Sequence, residues 1–401
     1  MIEQNGKLAV VTEIIAPYRI PVFNHIAGRL GKKFKVFFMS ATCAGRDWKI
    51  PYSKIKFDYE ILSGINLNRI NGRPNPIYWN PGIGQALRKF APDLIVIGGY
   101  HHLSSYLVWK YTKSNSTPLF LWCESTLHDK HSKNILVQRL KRMFIRSCDG
   151  YLVPGKASAD YLRFHGAQGH FSYAPNSVDV EMFSSGSNLN EFVQHQKRAE
   201  FRKRFNLPQF VMLFVGRLSP EKNLPAALRI VRNLQQRGSQ LGLVIVGDGP
   251  YRKQYEISAR QLQIKNVLFC GFKQQEELPY YYMVSDVLIL PSHSEPWGLV
   301  VNESLACGLP VLCSQKVGCV SDLIVEGKTG YTCAQYINYE ERIMELCSKP
   351  HQIELMRDYC REHIAHFTPE HCADGFLNLY RSANSSNGNF HLNHENLTYH
   401  S

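Results

Sequence analysis

Short apolar runs alternating with stretches of helical spacing most narrow the folds open to this sequence. In the first half such runs occur at residues 7–12, 34–39, 94–99, 118–123 and 150–153, and residues 21–30 have the spacing of an amphipathic helix. A second series follows at 210–215, 243–247, 267–270, 286–290 and 310–313. Apolar runs without polar alternation read as strands buried on both faces, which in practice means a parallel sheet covered by helices. The chain has 401 residues, too many for one core and enough for two such units. The expectation is therefore two doubly wound α/β domains, residues 1–180 and 181–367. The joint is predicted over 173–187, where Pro, Asn, Ser and Gly concentrate. A last helix is predicted over 368–383. Residues 384–401, rich in Asn, Ser and His, read as a disordered tail.

Charge is unevenly placed. Residues 1–180 hold 24 Lys and Arg against 11 Asp and Glu, whereas residues 181–401 hold 22 of each, so the whole net charge of +13 lies in the first half. Such asymmetry points one half toward an anionic partner, a membrane leaflet, a phosphate-bearing lipid or nucleic acid, with plain solubility as the alternative. No helix-turn-helix, RNP box or zinc finger accompanies it, which sets nucleic acid aside. No apolar run approaches the roughly 18–20 residues of a membrane span, and the first residues lack a signal-peptide core, so a cytoplasmic protein is expected. The 11 cysteines are odd in number and scattered, with no CxxC pair, and read as reduced buried thiols. Within the basic half, residues 133–146 set Ile135, Leu136, Leu140, Met143 and Phe144 among Arg139, Lys141, Arg142 and Arg146. This pattern suits a helix lying in a membrane interface, or a core-facing helix with solvated charges.

The chemistry-bearing motifs gather in the second half. The run at 210–215 ends in Gly216-Arg217-Leu218-Ser219-Pro220-Glu221-Lys222-Asn223. This places a glycine turn and two cations just past a strand end, where open α/β sheets bind ligands. The planar fork of Arg217 and the point charge of Lys222 suit phosphate oxygens. Gly247-Asp248-Gly249 follows the next run and lets backbone approach a ligand closely. The most distinctive stretch runs from Ser292 through Glu295-Pro296-Trp297-Gly298-Leu299-Val300-Val301-Asn302-Glu303 to Pro310. A helix starting near Gly298 would present the amides of Gly298, Leu299 and Val300 to an anion. Glu295 precedes that end and Glu303 lies within the helix. Both are carboxylates suited to a sugar or ribose diol, since each accepts two hydroxyl protons.

These motifs resemble those of the retaining glycosyltransferases of family 4. The likeness rests on Glu295 and Glu303 separated by seven residues, on Gly216-Arg217-Leu218 with Glu221-Lys222-Asn223, and on Ala174-Pro175-Asn176-Ser177-Val178-Asp179. It covers most of residues 173–350. The first half is less alike, although Ile15-Ala16-Pro17-Tyr18-Arg19-Ile20-Pro21-Val22-Phe23 looks like a bacterial surface-polysaccharide subgroup. The resemblance implies a GT-B fold, two Rossmann-like domains facing across a cleft. It implies a nucleotide-diphosphate sugar donor, with Arg217 and Lys222 on the diphosphate, Glu303 on the ribose and Glu295 on the transferred sugar. Gly216, Gly247, Asp248 and the amides of Gly298, Leu299 and Val300 complete the donor side. Transfer would retain configuration without a metal or other cofactor. Taken with the +13 charge of the first half, the reading points to a glycan or lipid-diphosphate-linked acceptor, with the enzyme peripheral at the inner face of the cell membrane.

Two positions depart from the family. Many members carry a glycine-rich loop after the first strand, where this chain has Ala16-Pro17-Tyr18-Arg19. Pro17 removes a backbone donor, and Arg19 either takes over phosphate or turns to the acceptor. Many members also carry a histidine after the strand at 118–123, where this chain has Glu124. A carboxylate there can bind a sugar hydroxyl or act as a base, with His101 and His128 as neighbouring candidates. An epimerase or phosphorylase of the same fold, or a silent nucleotide-sugar or membrane-binding protein, are the alternative readings.

Overall fold

The computed structural model describes residues 6–43, 48–70, 76–129, 134–184 and 191–385. Thirteen strands form two parallel sheets among these residues. The first sheet contains β1 (Leu8–Thr12), β2 (Phe34–Phe38), β3 (Asp58–Ile61), β4 (Leu94–Gly98), β5 (Leu119–Trp122), β6 (Gly150–Val153) and β7 (His170–Tyr173). Its order is β3-β2-β1-β4-β5-β6-β7. The second contains β8 (Phe210–Val215), β9 (Leu241–Val246), β10 (Val267–Gly271), β11 (Val287–Leu290), β12 (Val311–Ser314) and β13 (Gly330–Cys333), in the order β10-β9-β8-β11-β12-β13. Relative to its own first strand this is the 3-2-1-4-5-6 arrangement of dinucleotide-binding domains. The architecture is GT-B.

Alternate residues of each central strand feed opposite layers, as the two-residue repeat of a strand requires. Leu8 and Val10 join one core and Ala9 and Val11 another, on the two faces of the first sheet. Met212 and Phe214 divide from Val211, Leu213 and Val215 in the same way in the second sheet. This two-sided burial explains why the central strands are uninterrupted apolar runs. Three strands had no such run: β3 (Asp58–Ile61), β7 (His170–Tyr173) and β13 (Gly330–Cys333) lie at sheet edges, where polar residues are tolerated.

The chain crosses between domains twice. Residues 174–179 lead from β7 to the second domain, and the helix Pro369–Ser385 returns to the first. There Phe376 packs edge-on against Trp122 with ring centroids 5.1 Å apart. The Ser172 hydroxyl donates to the Gly375 carbonyl at 2.8 Å, and the Tyr380 hydroxyl donates to the Gly6 carbonyl. The helix extends two residues beyond the expected end at 383, and the predicted tail from residue 386 onward lies outside the described residues. All 11 cysteines are free thiols, most of them buried. No helix among the described residues is long and apolar enough to cross a membrane.

Candidate active site

The second-domain half of the candidate site is built from loops that follow β8, β9 and β11. Asn223 takes a left-handed backbone conformation, and its Nδ2 donates to the Pro291 carbonyl at 3.0 Å. The His293 amide donates to the Glu221 carbonyl at 2.8 Å. These two bonds lace the loop after β8 to the loop after β11. Their consequence is an ion pair between the Lys222 ammonium and the Glu295 carboxylate. Arg217 reaches the Glu221 carboxylate at 3.1 Å, and the Ser219 hydroxyl donates to the same oxygen at 2.6 Å. Burial pushes the Glu221 carboxyl up, but the hydrogen bonds from Ser219 and Arg217 outweigh it and hold the group below its ordinary range. Both predicted phosphate cations thus carry a carboxylate partner in the protein alone.

Gly247 has a φ of +137°, and a Cβ there would stand 1.9 Å from the Gly216 carbonyl oxygen. The turns after β8 and β9 therefore touch through bare backbone, which no side chain at 247 permits. The adjoining Asp248 carboxylate is taken up by Arg252 at 2.8 Å and by the Gly249 amide at 2.7 Å. Asp248 is thus engaged with its own turn and the following helix.

Gly298 opens the helix Leu299–Ala306 with a φ of +100°. The Val301 amide is bonded to the Gly298 carbonyl at 2.8 Å, leaving the amides of Gly298, Leu299 and Val300 ahead of it at the positive end of the helix. One turn on, Glu303 accepts a 2.6 Å hydrogen bond from the Tyr282 hydroxyl. Burial pushes the Glu303 carboxyl up to about 7, outweighing that bond and the charge of Lys222. Asn302 completes the frame. It accepts from Trp297 Nε1 at 2.8 Å and donates to the Asn176 carbonyl of the interdomain segment at 2.8 Å.

The first-domain half lies at the carboxyl ends of β1, β4 and β5. Arg19 donates to Glu124 at 2.8 Å and to the Thr12 hydroxyl at 3.2 Å, and its guanidinium stacks 4.1 Å from the Trp122 ring centroid. Burial alone would pull its charge down, but the neighbouring Glu124 and Glu13 charges keep it protonated. The structure thus brings the predicted Arg19 and Glu124 together as a pair. His101 lies 3.3 Å and His102 3.0 Å from Glu13 Oε1. Burial pushes the Glu13 carboxyl up, yet the two imidazoles outweigh it and hold it well below the usual carboxylate range. His128 stands exposed on a separate turn, its backbone amide donating to the Thr126 hydroxyl at 3.3 Å.

Glu13, His102 and Tyr282 were not singled out from the sequence. Glu13 directly follows the first strand, a position at which ligand-facing residues cluster, and that signal was available. Tyr282 comes from a separate helix, Leu278–Met283, and nothing in its local sequence points to Glu303.

Among the described residues, Glu13, His101 and His102 form the one group whose ligand atoms lie close enough to hold a metal, all within 4.8 Å of one another. The donor set argues against it. His102 Nδ1 accepts from the Tyr78 amide at 3.3 Å, so in the neutral ring the proton sits on Nε2, the atom aimed at Glu13. Burial favours that neutral ring. Nε2 then has no lone pair to offer.

The two halves meet directly. Ser294 donates to Asp129 at 3.1 Å, and the Lys156 amide lies 3.2 and 3.3 Å from the carboxylate oxygens of Asp322. A separate cleft of about 930 Å³ opens between Tyr18 and Trp48 of the first domain and Phe272 and Lys273 of the second, and none of Arg217, Lys222, Glu295, Glu303 or Glu124 lines it.

Residues 195–363 match the family model described as glycosyl transferases group 1. The chain is 28% identical over 180 residues to alpha-monoglucosyldiacylglycerol synthase of Streptococcus pneumoniae, covering 44% of this chain and 40% of that protein. It is 31% identical over 226 residues to D-inositol 3-phosphate glycosyltransferase of Rhodococcus jostii, covering 53% and 49%. The match spans about half the length, or less, of these curated relatives. Among solved structures, HepE of Anabaena in complex with UDP superposes with a TM-score of 0.72 at 16% identity, over 94% of this chain and 100% of that one. WaaG, a glycosyltransferase involved in lipopolysaccharide biosynthesis, does so at 0.63 and 16%, over 92% and 98%. The GT-B fold is shared with these solved proteins, and residues 195–363 of the chain carry the similarity to the glycosyl transferases group 1 model.

Proposed function

We propose that this protein transfers a sugar from a nucleotide-diphosphate sugar to a glycan or lipid-linked acceptor, with retention of anomeric configuration and without a metal. The reading is carried by one observation: Lys222, Glu295, Glu303 and the amides of Gly298–Val300 converge at the strand ends of a single sheet. Arg217 and Lys222 exchange their carboxylate partners for the diphosphate and neutralise the charge that develops on it as the glycosidic bond breaks. Glu303 accepts hydrogen bonds from the ribose diol. Glu295, released by Lys222, accepts from a hydroxyl of the transferred sugar. The helix amides hold the remaining anionic oxygens.

Across the cleft, Glu124 fixed by Arg19 accepts a hydroxyl hydrogen on the acceptor side. The incoming hydroxyl attacks from the face that the diphosphate leaves, and its proton passes to the departing phosphate oxygen. The donor class is supported by solved relatives described with UDP and with UDP-glucose. A lipid-linked acceptor is supported by the charge of the first half and by a relative named for a diacylglycerol product. Surface polysaccharide or glycolipid synthesis at the cytoplasmic membrane face is the setting these features suit. The test is thermal stabilisation by UDP, GDP, ADP, CMP and dTDP in EDTA. One nucleotide present at about 100 times its Kd adds roughly 2.7 kcal/mol, and the gain disappears in Lys222→Ala. No stabilisation by any of the five would overturn the donor assignment.

A further inference from the structure

The cleft between Tyr18 and Lys273 has a charge of its own. Its lining sets five cations against two acids, Asp179 and Glu276. Asp179 is occupied, accepting from the Met182 amide at 2.9 Å. Two of the cations are also engaged, Arg29 by Glu370 at 3.1 Å and Lys273 by Glu277 at 3.3 Å. The other three are Lys49, Lys54 and Lys56, all exposed, and among the described residues none of them enters an ion pair. Asn24, on the helix Ile20–Leu30, clamps the segment that carries two of them. Its Nδ2 donates to the Lys54 carbonyl and its Oδ1 accepts from the Lys56 amide, both at 2.8 Å. Aromatic rings line the same cleft. Tyr18 and Trp48 meet edge to face with centroids 6.3 Å apart, and Phe272, 45% exposed, lines the cleft from the second domain.

We infer that this cleft holds an anionic stretch of the acceptor glycan, with its carboxylate or phosphate groups on Lys49, Lys54 and Lys56 and its ring faces on Tyr18 and Trp48. The donor has no use for these lysines. Its diphosphate is proposed for Arg217 and Lys222, which lie outside the cleft, and a nucleotide base carries no charge. A neutral glycan has no use for them either. A sugar ring offers an apolar face that packs on an aromatic side chain, and its charged substituent projects from the ring edge to a flexible ammonium. Ligand pockets span roughly 300–1,000 Å³. At about 930 Å³ this one lies near the top of that range, which suits a chain of sugars better than a single ring. Its position fits as well. Arg19 directly follows Tyr18, and its guanidinium lies 5.5 Å from the Tyr18 ring centroid and 2.8 Å from Glu124. A glycan with its reacting hydroxyl at Glu124 therefore passes Arg19 and Tyr18 on its way into the cleft. This deepens the proposed function by naming the charge class of the acceptor, and it rests on that reading.

The test is calorimetric titration of the full chain, without donor, with two pairs of trisaccharides. Trigalacturonate is compared with its methyl ester, which keeps the rings and loses the charge. Phosphorylated maltotriose is compared with maltotriose. At 0.05 M salt at least one charged form should bind five times more tightly than its neutral partner, and 0.5 M salt should remove most of the difference. Which pair responds tells carboxylate from phosphate. The triple variant K49Q/K54Q/K56Q should lose at least fivefold in affinity for the charged form and nothing for the neutral one. The distant variant K32Q/K89Q/K110Q, of equal net charge, should bind like the parent. Melting temperature checks that both variants fold, and the salt series on the unaltered protein stands without them. Equal binding of charged and neutral forms in both pairs, or a cleft variant that binds like the parent, would overturn the inference. So would a trisaccharide displaced by UDP together with weaker UDP binding in the cleft variant, which gives the cleft to the donor. Charged glycan bound but no sugar transferred would sink the proposed function alone, whereas transfer without this charge preference would sink only the inference.

Discussion

The carboxylate of Asp322, in the second domain, lies against the backbone amide of Lys156, the first residue of a helix in the first domain. The distances are 3.2 and 3.3 Å. A carboxylate at that end of the helix Lys156–Phe164 meets its positive pole. Gly155 makes the approach possible: a Cβ there would stand 2.5 Å from Asp322 Oδ2. The backbone of Gly155 is extended, φ −176°, so any residue can adopt it and the obstacle is purely steric. Gly155→Ala should therefore wedge this contact apart while leaving each domain folded. A larger radius of gyration in small-angle scattering and weaker nucleotide binding are expected. An unchanged radius would show that the contact does not set the domain spacing.

Glu303 predicts a pH profile for nucleotide binding. Its carboxyl is pushed up to about 7, mainly by burial. A ribose diol needs the ionised form, so affinity should rise as pH rises through 7, by about tenfold between pH 6 and pH 8. Glu303→Gln should bind weakly with a flat profile. The stability consequence has the opposite sign. The folded state holds a proton that the unfolded state has released, so the group lowers stability as pH climbs from the ordinary carboxylate range to about 7. At pH 8 the Gln variant should melt at or above the parent temperature, and a clear fall would contradict this account of the site.

Lys222 and Glu295 should fail in different ways. Lys222→Ala removes the charge proposed to face the diphosphate and leaves Glu295 without its ion-pair partner, so sugar transfer should drop at least tenfold, about 1.4 kcal/mol or more. Glu295→Gln leaves Lys222 free for phosphate, so nucleotide affinity should hold or rise while transfer falls. Calorimetric titration with the nucleoside diphosphate, set beside transfer rates, separates the two. Equal loss of nucleotide affinity in both variants would mean that the pair acts as a unit.

Glu13 predicts acid sensitivity. The His101 and His102 contacts hold its carboxyl well below the usual range, so its contribution is present above the ordinary carboxylate pKa and is lost as pH falls through the depressed value. Glu13→Gln should melt below the parent at pH 7, with the gap narrowing as pH falls below the ordinary carboxylate range. A gap that is constant with pH would point to packing as the cause.

Residues whose placement depends on their own backbone were legible in the sequence. Gly216, Gly247 and Gly298 mark turns at strand ends, and Glu295 and Glu303 bracket a helix start. The central strands were equally plain, because burial on both faces leaves no polar residue to interrupt them. The strands at Asp58–Ile61 and His170–Tyr173 were not, since edge positions accept polar side chains and erase the signal. Partnerships between distant elements were hidden for a different reason. Neither the Tyr282–Glu303 bond nor the Arg19–Glu124 pair leaves a mark at fixed spacing, being separated by 21 and 105 residues. Residues 133–146 showed a helical pattern without showing which side would be buried. The anchoring of Lys141 by Tyr161 and His165 decides that.

The double crossing of the chain, first through residues 174–179 and again before the helix Pro369–Ser385, fixes more than topology. Two covalent links side by side act like two pins of a door. They resist sliding and twisting of one domain on the other and leave a single swing as the soft motion. Asn302 reaches from the donor helix to the Asn176 carbonyl at one of these pins. A ligand that shifts the helix by a fraction of an ångström therefore pushes on the pivot itself, where a small displacement becomes a large one at the far lips of the cleft.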